Sequence, residues 1–337
     1  MDADREDDVA DYGDRILSSS IVYGPVPSRR LGRSLGINNV LPKICSYSCV
    51  YCQLGKTLMM EVEPRPFYKT ARIAEQVRTK LEQAREKGEP VDYVTFVPDG
   101  EPTLDANLGE EIEALKTLGV RVAVITNGSL LWREDVRQNL RKADWVSLKV
   151  DTVSEDTWHK VNRPHGSLGL ERILQGMIEF ARIFKGELAA ETMLIRGVND
   201  DLGEIKKIAE FLSELKPARS YIAIPTRPPA EQVEPVTEQT INAAYWIFAK
   251  RLPAVEYLIG YEGNAFASTG NAIDDLLSIT AVHPMREEAV AEFLVNARTD
   301  WETIQELIDN GSLVDLEYQG KKFYVRKLPG HSLMRPH

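Results

Sequence analysis

The sequence predicts an α/β fold: a partial or full (β/α) barrel of parallel strands, followed by a small C-terminal module of two helices and a hairpin. Three observations lead to this prediction. From about residue 70, short apolar segments alternate with amphipathic segments of helical length, glycines end several of the latter, and polar motifs follow the apolar segments. A doubly wound sheet has the same alternation, so the pattern leaves that arrangement open.

The predicted elements run from just before the cysteines to about residue 260. Apolar residues at helical spacing mark the helices, and Gly88 and Gly119 end the first two. Apolar runs such as "YVTFV" and "VRVAVIT" mark the strands. The expected strands are 34–38, 93–97, 120–126, 145–150, 187–194, 221–225 and 255–260, and the expected helices are 71–87, 108–118, 133–142, 168–184, 202–215 and 237–252.

Four polar motifs come directly after predicted strands. They are the cysteine-containing loop, "PDGEPTL", "TNGS" and "KVDT". Because the carboxyl ends of parallel strands meet at one edge of a sheet, we expect these motifs to form a single site.

The segment His283–Leu328 has a different pattern. It reads as two helices and then the strands "LVDLEY" and "KFYVRKL" around Gly320, an order typical of a winged-helix module. It holds more acids than bases and no basic recognition helix, which disfavours DNA binding. We therefore expect an acidic tail (1–20), a barrel domain (21–281) and a winged-helix-like module with its tail (282–337).

Charge and composition limit the class of protein. The formal net charge is −10, and the acidic first residues are expected to form a solvated tail. This charge disfavours a surface covered with phosphate-binding lysines but permits a local basic cleft. There is no apolar run long enough to span a bilayer and no signal peptide, so we expect a cytoplasmic protein with no membrane partner.

All three cysteines of the chain, Cys45, Cys49 and Cys52, lie in the stretch "ICSYSCVYCQLG". Their odd number excludes complete disulfide pairing. Thiolates are soft ligands that suit zinc, copper(I) and iron–sulfur clusters, and with no fourth ligand nearby we expect one open coordination position. Zinc with a distant fourth ligand and three inert, buried cysteines are the alternatives.

With Tyr51 directly before the third cysteine, the C-x3-C-x2-C motif resembles the signature of the radical S-adenosylmethionine (radical SAM) enzymes, over about residues 20–260. The resemblance implies that Cys45, Cys49 and Cys52 hold a [4Fe–4S] cluster. Its unique iron would bind S-adenosylmethionine, and a reductant such as flavodoxin or ferredoxin would supply one electron. Cleavage would give methionine and a 5′-deoxyadenosyl radical that abstracts hydrogen from a substrate.

The segment after the second strand also resembles this family. Its residues Gly100 and Glu101 match a Gly-Gly-Glu motif that holds the methionyl amino group, with Asp99 in place of the first glycine. The resemblance further implies that Tyr51 contacts the adenine side of the cofactor, largely through its backbone. A solvated loop acid is the structural alternative for Glu101.

Later strand ends supply the remaining candidate cofactor ligands. The resemblance implies that Ser147 bonds a ribose hydroxyl, with Asp151 as its competitor, and that Lys149 pairs with the methionyl carboxylate. It also implies that Asn127 lies in the turn after the third strand and that Glu191 faces the cofactor. Each could instead be an ordinary strand-end polar residue, and Asn-Gly is a common turn pair.

Three arginines, Arg29, Arg30 and Arg33, precede the cysteine motif. Arginine recognises phosphate or carboxylate with two parallel hydrogen bonds, so we expect them to bind substrate beside the cluster. Ion pairs with acids at the barrel mouth are the alternative. A second candidate set on loops of the active face comprises Arg163, Arg196 and Arg227.

The substrate is the least determined part of this interpretation. The lead-in "PSRRLGRSLGIN" with "CVYCQLG" resembles the branch related to wyosine-forming tRNA enzymes, which implies RNA or another phosphate-bearing substrate. The chain has no further cysteine for the second cluster of those enzymes. The alternatives are a peptide or protein recognised through the C-terminal module, a glycyl-radical activase, and a non-enzymatic iron–sulfur sensor.

Overall fold

The computed structural model describes residues 21–259, 266 and 271–327. The expected acidic tail 1–20 and the last ten residues lie outside the described residues. Within the described ranges, no helix has the length and apolar character needed to cross a membrane.

Ten strands lie between residues 21 and 259. They are β1 (Val22–Ser28), β2 (Gly32–Ile37), β3 (Ile44–Cys45), β4 (Met59–Met60), β5 (Tyr93–Phe96), β6 (Arg121–Thr126), β7 (Trp145–Lys149), β8 (Glu187–Met193), β9 (Arg219–Ala223) and β10 (Val255–Leu258).

Eight of these strands form one sheet in the order β1-β2-β5-β6-β7-β8-β9-β10, and β3 pairs with β4 in the cysteine loop. β1 is antiparallel to β2, whereas all other neighbours in the large sheet are parallel. The sheet curls into a half-barrel, which confirms the predicted barrel architecture in its partial form.

Residues 21–259 also contain seven helices, and helices pack on the convex face of the sheet because every second strand residue is apolar and points towards them. Val94, Val124 and Leu148 on that face are fully buried in the main core. The helices are α1 (Thr70–Glu86), α2 (Leu108–Lys116), α3 (Glu134–Leu140), α4 (Glu155–Val161), α5 (Leu170–Ile183), α6 (Leu202–Leu215) and α7 (Glu238–Ala249).

The C-terminal module shares its core with the barrel. The apolar cluster of the module includes Tyr23 and Val26 of β1, and Leu54 of the cysteine loop packs against it. The module contains the predicted two helices and hairpin, preceded by a helix and a short strand: α8 (Ala272–Val282), β11 (Met285–Arg286), α9 (Glu287–Ala297), α10 (Trp301–Asp309), β12 (Leu313–Tyr318) and β13 (Lys321–Arg326).

Several elements were absent from the sequence prediction, among them the strand β1 and the helix α4. β1 carries two prolines, which usually break strands, but an edge strand tolerates them. The short helix α4 has Glu155 and Asp156 in its first turn and buries Trp158 and Val161, a helical spacing that the sequence already contained.

Candidate active site

The three cysteines lie together on the loop that follows β2 at the carboxyl end of the sheet. Cys45 ends β3, all three thiols are half-buried, and no disulfide joins them. Burial raises the pKa of each thiol, that of Cys49 to about 12, and negative charge on the neighbouring cysteines adds to the increase for Cys45 and Cys49. Uncoordinated thiols would therefore keep their protons at neutral pH, whereas coordination to a metal removes them.

Two side-chain amides point at the cysteine sulfurs. Asn127 Nδ2 lies 3.6 Å from Cys45 Sγ, and Asn162 Nδ2 lies 3.4 Å from Cys49 Sγ. N–H donors near sulfur stabilise the negative charge that a thiolate carries as a ligand.

The donor set fits a cluster better than a single ion. Among the described residues, no three side chains of His, Cys, Asp or Glu gather closely enough to hold one metal ion. Thiolates that bind separate irons need no such close approach, whereas a structural zinc ion needs four ligands around one point. The cysteines therefore fit a [4Fe–4S] cluster with one iron left for another ligand.

Glu101 organises the loops on either side of the cysteines. It is 1% exposed, and its carboxylate accepts hydrogen bonds from Thr103 N, Thr103 Oγ1, Thr126 Oγ1 and Asn127 N at 2.5–3.0 Å. Burial raises its pKa although these hydrogen bonds lower it. Glu101 is thus a buried residue that fixes Asn127, and not the solvated loop acid of the alternative interpretation.

Gly100 permits the close approach of this loop to the cysteine segment. A Cβ atom here would lie 2.1 Å from the carbonyl oxygen of Ile44, the residue before Cys45. The backbone N–H of Glu101 donates to the same carbonyl at 3.1 Å. Any side chain at position 100 would therefore push Cys45 away from the loop that follows β5.

Tyr51 ties the cysteine loop to the end of β7. Its hydroxyl donates to Asp151 Oδ2, which also accepts from Asn162 Nδ2 at 2.8 Å, while Asp151 Oδ1 accepts from Met193 N at 2.9 Å. Asp151 is thus occupied by three protein donors. The hydroxyl of Ser147 is buried and has no hydrogen-bond partner within the described ranges, so of the two ribose candidates Ser147 has the unused bonding capacity.

A buried group of charges lies beneath the cysteine loop on the concave face. Glu191 Oε1 accepts from Lys149 Nζ, Glu191 Oε2 accepts from Arg30 Nη1, and Lys149 Nζ lies 5.2 Å from the centroid of the Tyr51 ring. Burial lowers the pKa of Lys149, but the carboxylates of Glu191 and Asp151 more than offset this, so its pKa is raised and the ammonium stays charged.

The family profile described as the radical SAM superfamily matches residues 39–212. This chain belongs to the radical SAM superfamily. The predicted resemblance and the prediction of an enzyme are thereby confirmed, and the family implies S-adenosylmethionine and a [4Fe–4S] cluster as cofactors.

Three similar proteins extend this assignment. The UPF0026 protein of Methanocaldococcus jannaschii is 44% identical over 92% of this chain and 97% of its own length. The S-adenosylmethionine-dependent nucleotide dehydratase of Flammeovirga pacifica is 25% identical over 86% of this chain and 96% of its own length. A crystal structure of a radical SAM methyltransferase from Sphaerobacter thermophilus shares the fold, with a TM-score of 0.50 at 17% identity over 66% of each chain.

The predicted substrate arginines do not gather beside the cysteines of this radical SAM enzyme. Arg29 and Arg30 lie in the turn between β1 and β2, and Arg33 pairs with Glu89 at 3.5 Å, all at the amino end of the sheet. The length of β2 separates these residues from the cysteine loop, because β2 runs from the amino end of the sheet to its carboxyl end. The Arg30 side chain reaches the buried charge group, where it donates to Glu191.

The second arginine set does lie at the carboxyl end but is engaged in contacts. Arg163 pairs with Glu231, and Arg196 pairs with Glu234 at 2.7 Å. Arg227 donates to Gln53 in the cysteine loop at 2.8 Å. Arg163 and Arg196 are thus held in ion pairs, and Arg227 is held in a hydrogen bond to the cysteine loop.

One residue of the radical SAM site, Asn162, and one contact, the ion pair of Asp99 with Lys43, were not predicted from the sequence. Asn162 follows the unpredicted helix α4, whose pattern could have drawn attention to it. Asp99, at the position of the family's first glycine, forms a buried ion pair with Lys43 at 3.6 Å. Burial raises the pKa of Asp99 to about 6, although Lys43 and Arg326 of the module lower it. Asp99, which replaces the first glycine of the motif, therefore has Lys43 as its partner, and the spacing of motif residues in the sequence does not reveal this pair.

Proposed function

We propose that Cys45, Cys49 and Cys52 hold a [4Fe–4S] cluster and that S-adenosylmethionine binds between it and the concave face of the barrel. The observation that carries this proposal is the group of three interacting thiols, two of which face amide donors. When bound, the cluster supplies the electron that cleaves the sulfonium and gives a 5′-deoxyadenosyl radical.

The surrounding residues bind and orient the cofactor. Lys149 offers an ammonium to the methionyl carboxylate, and the unpartnered Ser147 hydroxyl offers a hydrogen bond to the ribose. Val50, Val161 and Ile195 form an apolar cluster beside the loop that keeps water from a reactive radical.

Anaerobic reconstitution tests the cluster assignment. The wild-type chain should take up about four irons, and its reduced electron paramagnetic resonance signal should change on addition of S-adenosylmethionine. The variant Cys49→Ala should lose both, whereas the control Lys56→Ala, an exposed residue of the same loop, should keep both. Retention of a cofactor-responsive cluster by Cys49→Ala would refute the assignment.

We infer that the substrate is a small phosphate-bearing molecule of the nucleotide class. The similarity to a nucleotide dehydratase over 86% of this chain supports this inference. The acids Glu231 and Glu234 balance the charge of Arg163 and Arg196 at the barrel mouth, which disfavours a long polyanion such as tRNA.

Release of 5′-deoxyadenosine in the presence of candidate substrates tests this inference. Nucleoside phosphates should stimulate release, and bulk tRNA should not. Stimulation by tRNA, with binding that weakens steeply as salt rises, would instead favour an RNA substrate.

A peptide substrate recognised through the C-terminal module is the second candidate. Within the described ranges β12 is an edge strand that pairs only with β13, so its other edge can accept an extended peptide as an added strand. Release of 5′-deoxyadenosine that depends on peptides rather than nucleotides would favour this candidate.

A further inference from the structure

A second cavity lies at the amino end of the barrel sheet, on the side opposite the cysteine loop. This amino-end basin has a volume of about 460 Å³, which is in the range of small-molecule sites. Its walls are the β1–β2 turn and the first residues of the parallel strands. The aromatic side chains of Tyr93, Trp145 and Tyr221 line it.

Arginines are concentrated at the basin in a chain of net charge −10. Asp92, Glu187 and Glu256 are the acids among its lining residues, and four arginines outnumber them. Glu187 and Glu256 both form ion pairs with Arg219. The four arginines that line the basin are Arg29, Arg30, Arg121 and Arg219.

Arg121 is the cation best placed to meet a ligand. Its guanidinium carbon lies 4.4 Å from the centroid of the Tyr93 ring, and the residue is exposed at the start of β6. Within the described ranges, no acidic side chain lies at ion-pair distance from it. The ring holds the guanidinium in place by a cation–π contact, and a planar guanidinium with no acidic partner suits phosphate oxygens.

Arg30 connects the basin with the cofactor side of the barrel. It lines the basin and at the same time donates to Glu191, whose other oxygen accepts from Lys149. Lys149 in turn lies over the Tyr51 ring of the cysteine loop. One buried carboxylate therefore divides its charge between a cation that faces the basin and a cation that faces the cluster.

We propose that the amino-end basin binds a small phosphate-bearing anion, and that this ligand draws Arg30 from Glu191 and thereby weakens S-adenosylmethionine binding at Lys149. Once Arg30 turns to the ligand, Glu191 neutralises Lys149 more fully, and the ammonium is less available to the methionyl carboxylate. Linkage makes the effect reciprocal, so S-adenosylmethionine weakens the anion equally. The regulatory half rests on the proposed function, whereas the basin itself does not.

Calorimetric titration with inorganic pyrophosphate tests the basin. The variant Arg121→Gln should bind pyrophosphate about tenfold more weakly, because a charge-assisted hydrogen bond is lost. The control Arg78→Gln removes an exposed arginine from α1 and should bind like the wild type. Circular dichroism checks that both variants fold. Absence of binding to the wild type, or equal binding by Arg121→Gln, overturns the proposal.

Equilibrium dialysis of S-adenosylmethionine with the reconstituted protein tests the coupling. Saturating pyrophosphate should weaken the affinity about fivefold in the wild type and in Arg78→Gln, and Arg121→Gln should need about tenfold more pyrophosphate for half of this response. An unchanged affinity in the wild type overturns the coupling. A response with the same midpoint in Arg121→Gln as in the wild type does so too, since it shows that pyrophosphate acts at another site. Failure of all forms to bind S-adenosylmethionine refutes the proposed function and the coupling, while the pyrophosphate titration still decides the basin.

Discussion

The two ends of the barrel sheet use charge in opposite ways. At the carboxyl end, Glu101 and Asp151 are buried, and several protein donors saturate each carboxylate. At the amino end, Arg219 is 47% exposed and holds Glu187 and Glu256 through ion pairs that water reaches. The Glu101 and Asp151 networks at the carboxyl end are therefore fixed in one arrangement, whereas the Arg219 pairs at the amino end can exchange their partners.

The difference follows from the local dielectric. A buried carboxylate without its donors is strongly unfavourable, so such a network forms completely or disrupts the structure around it. An exposed ion pair contributes little because water and salt replace it readily. A rigid carboxyl end suits a cofactor that must be held precisely in place, and a replaceable amino end suits a regulatory ligand.

Removal of Glu101 should give the largest effect. The variant Glu101→Ala leaves the backbone N–H groups of Thr103 and Asn127 buried without an acceptor, and we expect it to lower the free energy of unfolding by about 3–5 kcal/mol. Urea unfolding measures this value, and iron content after reconstitution should fall with it, since Asn127 would no longer be fixed beside Cys45.

The exposed residue Glu82 on α1 provides the matched control. Glu82→Ala should change the free energy of unfolding by less than about 0.5 kcal/mol and leave the iron content intact. If Glu101→Ala also stayed within about 1 kcal/mol of the wild type, the carboxyl end would not be the fixed network described above.

Features of the carboxyl end that depend on local sequence could be predicted, whereas contacts between distant residues could not. Helix α6 matches the predicted 202–215, because a strong apolar period and the N-cap Asp201 are both local signals. The cysteine trio was recognisable because its ligands are close in the chain. Asn162 and the Lys43–Asp99 pair were not, because they meet their partners only after the strands have assembled.

The arginines were misplaced for the opposite reason, since residues that are close in the sequence lie far apart in the structure. Arg29, Arg30 and Arg33 are near the cysteines along the chain, and we predicted that they would be near them in space. The hairpin of β1 and β2 places the turn at the opposite end of the sheet. The prolines of β1 concealed that hairpin, and without it the direction of the arginine turn could not be deduced.

A pH series with Glu111→Gln tests the carboxyl end through the protonation of a buried acid. Glu111 and Asp105 are buried together beside the loop of Glu101, and burial followed by the charge of Asp105 raises the pKa of Glu111 to about 9. The folded protein thus binds a proton that the unfolded chain releases. The free energy of unfolding should fall as the pH rises from about 5 to about 9, by up to about 1.4 kcal/mol per pH unit.

Glutamine copies the protonated acid, so Glu111→Gln should lack this contribution to the pH dependence. Urea unfolding of both proteins at pH 5.5, 7.0 and 8.5 should show that the free energy of unfolding of the variant rises relative to that of the wild type as the pH rises. Parallel curves for the two proteins would mean that Glu111 ionises without penalty, and the carboxyl end would then resemble the amino end.

Removal of Arg219 should give the smallest effect and completes the comparison. Arg219→Gln breaks the contacts with Glu187 and Glu256, yet we expect it to lower the free energy of unfolding by less than about 1 kcal/mol, because these groups remain hydrated. Urea unfolding at low salt and at about 1 M NaCl should show that even this difference shrinks as salt screens the pairs. A loss above about 2 kcal/mol that salt leaves unchanged would show that the amino end is as fixed as the carboxyl end.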